Sequence, residues 1–87
     1  MGPESYIGSV AEFAGNFAPK HWAPCNGQTL QIQHYNALFS VLGTIYGGDG
    51  MHTFALPDLN KDINDADGYQ DKPLKCICIE GIFPPRD

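Results

Sequence analysis

Apolar residues recur at helical spacing between Ile32 and Leu42. Ile32, Tyr35, Leu38, Phe39 and Leu42 form a single stripe, while His34, Asn36 and Ser40 fall elsewhere. The stripe predicts a helix over about 34–42. Gly43 stands where a left-handed C-cap residue belongs. Gln31 and Gln33 are poor N-caps beside Ser, Thr, Asp or Asn. A helix this short is marginal alone, so tertiary packing must hold it.

Elsewhere the period is two. In 6–13, Ile7, Ser9, Ala11 and Phe13 share one face of a half-buried strand, which Gly15-Asn16 breaks. Phe17 to Trp22 reads as a loop around Pro19, because the residue before a proline is pushed to extended geometry. Trp22-Ala23-Pro24-Cys25, Asn26-Gly27 and Gln28-Thr29-Leu30 read as a tight hairpin, since Asn-Gly tolerates positive φ at both positions. Pro24 cannot donate a ladder bond, which makes its strand short and places it at an edge. The segment 74–83 is the clearest strand. Leu74, Cys76, Cys78 and Ile82 fall on one face and Ile77, Ile79 and Phe83 on the other. Two apolar faces predict a central, doubly covered strand or one buried in a subunit contact.

Between helix and last strand, Thr44-Ile45-Tyr46 is expected to be extended, and Gly47-Gly48-Asp49-Gly50 to turn. Asp49 is expected to cap that turn through nearby backbone amides. The loop has no Gly-x-x-x-x-Gly-Lys-Ser/Thr spacing and no Lys, so it is read as architecture rather than a phosphate cradle. Phe54 and Leu56 should be buried, and Pro57 should end regular pairing. The segment 60–73 is polar and acidic. Asp62, Asn64, Asp65, Asp67 and Asp71 invite a calcium reading, yet no register supplies a full EF-hand set. A solvated acidic loop is preferred.

The expected architecture is therefore α+β: short strands and hairpins around one central helix, with a C-terminal core strand. With 87 residues, ten of them Gly and seven Pro, the chain makes one small domain over 1–87. Chains of this size bury only roughly 60–65% of their unfolded surface, so disulfides, metals or oligomerisation commonly support them. The 11% aromatic content marks a folded chain rather than a disordered one. A net charge of −5 with five Lys/Arg argues against a nucleic-acid backbone or an anionic membrane as partner. No apolar run is long enough for a membrane span. The N-terminus carries no signal-peptide pattern, so synthesis in the cytoplasm is expected.

Three cysteines leave an odd one. Cys25, Cys76 and Cys78 are read first as small buried apolar residues. A disulfide from Cys25 to Cys76 or Cys78 is the alternative. A zinc site is disfavoured, because Cys-x-Cys is not a knuckle spacing and no His pair accompanies it. No metal or other cofactor is expected. Catalysis is not expected either: His21, His34 and His52 have no evident nucleophile, and the acidic residues cluster in one polar loop with no apolar wall.

Three stretches together resemble the phage tail collar domain, the module of short tail fibres and of the microcystin-dependent proteins. The first comprises 13–19 with Trp22-Ala23 and Cys25-Asn26-Gly27-Gln28. The second runs from Ala37-Leu38-Phe39-Ser40 through Tyr46-Gly47-Gly48-Asp49-Gly50 to Phe54-Ala55-Leu56-Pro57-Asp58-Leu59. The third is Glu80-Gly81-Ile82-Phe83-Pro84-Pro85-Arg86. The motif region is 6–59, followed by the acidic loop 60–73 and the strand 74–83. Asn26, Gly27, Gly43, Gly47, Gly48, Gly50, Phe54, Pro57 and Asp58 are its expected structural positions.

The resemblance implies a non-enzymatic structural or adhesive module, homotrimeric, in a virion tail or a cell-surface apparatus. It also implies other tail or apparatus proteins as partners. Many members place Arg-Gly-Arg after Pro-Asp-Leu, where this chain has Asn60-Lys61-Asp62. Many also carry a long segment before the last strand, where this chain has only the stretch 60–73. Docking and assembly are therefore favoured over receptor recognition. The alternative is a lectin-like module that binds a bacterial surface glycan through Trp22, Tyr46, His52 and Tyr69, with Asp49 as a polar contact. Trp22 and Tyr46 also read as plain core residues.

Overall fold

The strand with two apolar faces lies at the centre of the larger sheet. The computed structural model describes residues 5–15, 17–61 and 73–84. Its elements are β1 (Val10–Phe13), β2 (Trp22–Pro24), β3 (Thr29–Gln31), a 3-10 turn (Ile32–His34), α1 (Asn36–Leu42), β4 (Thr53–Ala55) and β5 (Leu74–Cys78). One sheet runs β1-β5-β2, antiparallel on both sides of β5, and β3 pairs with β4 in a second, two-stranded sheet. This is a small mixed α+β domain, as the hydrophobic pattern predicts.

Because β5 alternates, it builds two cores. Ile77 joins Cys25, Leu38, Leu42, Phe54 and Leu56 in one, and the half-buried Phe39 packs on Phe54 at a centroid distance of 5.5 Å. On the other face Leu74, Cys76 and Cys78 pack with Trp22, whose ring meets Phe13 edge-on at 5.3 Å. Phe54, Leu38, Leu56 and Ile77 are fully buried. Each contributes about 2 kcal/mol of transfer free energy, which is how a seven-residue helix is held in place.

The structure corrects several expectations. Residues 22–30 do not form a hairpin: β2 pairs with β5 and β3 with β4. A two-residue turn of that type needs positive φ at both central residues. Gly27 has it, at 76°, and Asn26 does not. The amide of Cys25 instead bonds Lys75, and its carbonyl accepts from Leu59, so the chain leaves the sheet. Gln28 fixes that exit by donating Nε2 to the Pro24 carbonyl and accepting the Asn26 amide on Oε1.

Residues 44–46 turn rather than extend, closed by Gly47 N–H on the Thr44 carbonyl at 3.1 Å. The helix begins at Asn36, because Tyr35 at φ −137° separates it from the 3-10 turn, and no side chain caps it. Gly43 has the positive φ expected of it, 59°, but with ψ −146° it is not left-handed helical. β1 begins only at Val10, because Gly8 at φ 91° turns the chain just before it.

β5 ends at Cys78, earlier than 83. The amides of Ile79 and Glu80 both turn to the His21 carbonyl, and Ile82 returns as a parallel bridge partner of Tyr6. Cys25, Cys76 and Cys78 are free buried thiols. Cys25 sits in one core and Cys76 and Cys78 in the other. The acidic run from Asp62 to Asp71, with the calcium reading placed on it, lies outside the described residues.

Candidate functional site

Glycine makes the 47–50 loop possible. Gly47, Gly48 and Gly50 have φ of 133°, 97° and 78°. At Gly48 a Cβ would collide with Phe54 Cα and come within 2.6 Å of the Thr53 carbonyl oxygen, so the loop crosses β4 at backbone contact. Asp49 holds the crossing. Its Oδ1 accepts the amides of Met51, His52 and Thr53 at 2.8, 2.8 and 2.9 Å, while its own amide donates to Thr53 Oγ1 at 3.2 Å. Those amides, first His52, then Thr53 and Met51, hold the Asp49 carboxyl far below the usual carboxylate range. His52 Nδ1 lies 3.8 Å from Asp49 Oδ2 with both side chains in solvent, so this pair adds little.

The loop is tied across to the preceding elements. Gln31 pairs with Thr53 in the β3–β4 ladder, and the Ile32 amide donates to the His52 carbonyl at 2.9 Å. Between these walls lies an open groove of about 380 Å³. Gln31, Gln33 and Asn36 line one side and Met51, His52 and Thr53 the other, with the half-buried Ile32 packed on the main core.

The expected site residues are distributed unevenly. Asp49 and His52 come together in the loop. Tyr46 is half-exposed on the turn leading into it. Trp22 is buried in the second core, on the opposite face of β5 from Phe54, and its Nε1 has no hydrogen-bond partner among the described residues. Tyr69 lies outside the described residues. Among the described residues no three His, Cys, Asp or Glu side chains stand close enough to hold a metal ion. None of the described helices is long and apolar enough to cross a membrane.

The structural positions do converge. Asn26 bridges Asp58, Gly27 N–H donates to the Pro57 carbonyl, and a Cβ on Gly27 would stand 3.2 Å from Asp58 Cβ. The pattern missed Asn60, which is fully buried beside this junction. Its Nδ2 donates to Cys25 O, Asn26 Oδ1 and Lys75 O, and its Oδ1 accepts the Lys75 amide. Its one trace in the sequence is a neutral carboxamide immediately after Leu59. His21 was also unforeseen as a junction. It is the one non-glycine with positive φ among the described residues, at 73°, and its Nδ1 pairs with Glu80 Oε1 at 2.8 Å.

The Asn26–Asp58 junction and the crossed glycine loop belong to one stretch. Residues 8–63 match the model of the Phage Tail Collar Domain. The chain belongs to the phage tail collar family. No curated protein and no solved structure matches it. The match covers well over half of the 87 residues, from the turn before β1 to beyond Asn60. The collar family is a structural one of tail fibres, and this chain is a structural module of that kind. In this collar domain the match stops short of β5, the strand to which β1 and β2 are both attached.

Proposed function

We propose that this collar domain works by assembly, as a homotrimer in a tail fibre or a phage-derived surface apparatus. It docks on other tail proteins and contributes to host-surface attachment, without catalysis. The observation that carries the reading is apolar surface left outside the two cores. Tyr6, Val10 and Ile82 are 48%, 47% and 46% exposed. Tyr6 and Ile82 are bridge partners, and Val10 opens β1, an edge strand of the sheet among the described residues. Exposed apolar side chains beside an open edge favour association with another protein surface. A domain of this size also gains stability from being covered.

Copurification from particles or cells tests the reading. Tail, baseplate or surface-apparatus proteins recovered with the chain would support it. Recovery of metabolic enzymes with no structural protein would overturn it. In the lectin-like reading, the side chains accessible to a ligand are His52 and Tyr46. Trp22 is buried and Asp49 already serves three amides.

A further inference from the structure

We infer that Asn26 is a self-modification site, where the Gly27 amide displaces the Asn26 side-chain nitrogen, and that the junction with Pro57, Asp58 and Asn60 keeps the site closed in the fold. The inference goes beyond the assembly reading above and does not depend on the oligomeric state.

The chemistry lies in the dipeptide. Once deprotonated, the backbone nitrogen after an asparagine can attack the side-chain carbonyl carbon, Cγ. An N–Cγ bond forms and the Cγ–Nδ2 bond breaks. The Gly27 proton passes through water to the departing nitrogen, which leaves as ammonia. Water then opens the five-membered succinimide at either carbonyl, giving aspartate or isoaspartate. Glycine in second place favours the attack, because no side chain shields its nitrogen or restricts the backbone around it. Asn26 alone of the asparagines precedes a glycine. Both residues are exposed, so water reaches them.

The junction holds both reacting groups. The nucleophile is tied back, since Gly27 N–H donates to the Pro57 carbonyl at 3.2 Å. The target is held by Asn60, whose Nδ2 donates to Asn26 Oδ1 at 3.1 Å. The Asn26 amide donates to the Pro24 carbonyl and to Gln28 Oε1, each at 3.0 Å, and Asn26 bridges Asp58. Ring closure must turn the Asn26 backbone and side chain and give up these bonds. Asn60 is fully buried and Pro57 is buried, so the anchors lie in the packed interior while the dipeptide lies in water.

For the fold the step runs one way. An aspartate at 26 would face Asp58 across the bridge, and like charges in opposed positions destabilise a pair. Isoaspartate adds a methylene to the backbone and throws Gly27 out of register with Pro57 and Asp58. Either product weakens the contact that closes the collar stretch, so the junction sets how long the folded module lasts. That is kinetic rather than equilibrium stability.

Peptide mapping by mass spectrometry tests the inference on the full chain, sampled over weeks in mildly alkaline buffer. It counts aspartate and isoaspartate at position 26. The folded parent should react at least roughly 10-fold more slowly than the same chain in urea, the factor expected for one lost hydrogen bond. Asn60→Ala should raise the folded rate. Gly48→Ala, which disturbs the fold at the glycine loop instead, is the control, and urea sets the two variants to equal fraction folded. At that point Asn60→Ala should react several-fold faster than Gly48→Ala. Asn60→Ser carries the same comparison if Asn60→Ala does not fold. A folded parent that reacts as fast as the chain in urea would overturn the inference. Equal rates in the two variants would do so too, since opening would then be global. No product at 26 in urea, or product at other asparagines in preference to Asn26, would overturn the site itself.

Discussion

Asn60 and Lys75 pair as two strands would. Asn60 Nδ2 donates to the Lys75 carbonyl at 2.8 Å, and Asn60 Oδ1 accepts the Lys75 amide at 2.9 Å. β2 stops at Pro24, and the Cys25 amide that follows reaches only the Lys75 carbonyl. The Lys75 amide needs an acceptor on that side, and the carboxamide supplies one. A buried side chain thereby completes the edge of the central strand and fastens the end of the collar stretch to it.

Asn60→Ala should therefore cost about 2–3 kcal/mol, because it leaves the Lys75 amide without its acceptor and a cavity where a fully buried side chain stood. Urea unfolding should show a lower midpoint at an unchanged slope. Asn60→Asp should also destabilise, since it replaces the three-way donor with an acceptor only.

Gly48→Ala should cost more than about 2 kcal/mol, since φ is 97° and the new methyl would meet Phe54 and Thr53 backbone. Gly15→Ala is the control. A Cβ there meets nothing within 4 Å, and thermal melts should place it close to the parent.

The Asp49 carboxyl is depressed in the fold by the His52, Thr53 and Met51 amides. The unfolded chain then binds more protons near pH 4, so stability from this group is full above the unfolded pKa of about 4 and is lost as pH falls further. Asp49→Asn should be less stable than the parent by a constant amount above about pH 5, and the gap should narrow on acidification. Unfolding curves between neutral pH and pH 2 check this.

Burial pushes the Cys25 thiol up to about 11, the neighbouring Cys76 adding to the rise, and burial raises Cys76 and Cys78 as well. All three should resist thiol reagents in the native state at about pH 8 and react together on unfolding. Because the unfolded thiols ionise first, stability should be full below about pH 8.5 and decline as pH rises towards the folded value. Titration with an aromatic disulfide, with and without denaturant, counts the protected thiols.

The sequence was most legible where period and chemistry agreed. The two faces of β5 appear in Leu74, Cys76 and Cys78 against Ile77, and the helical stripe in Leu38, Phe39 and Leu42. The self-capped turn appears in Asp49 among glycines. Pairing was less legible. Asn26-Gly27 carries a hairpin signal, yet β2 finds more to bury against β5 than against β3, and tertiary packing outweighs the turn preference. Long-range polar contacts left almost no trace: Asn60 and His21 act through partners 15 and 59 residues away. The groove residues Gln31, Gln33 and Asn36 read as weak helix-start residues, because their common wall exists only once β3 meets β4.

Self-association is the central claim, and the mass in solution tests it most directly. Multi-angle light scattering across micromolar concentrations should return three times the mass of one chain. Tyr6→Ser with Ile82→Ser should lower that mass while the amide spectrum stays folded. A single-chain mass for the parent protein throughout that range would contradict the account.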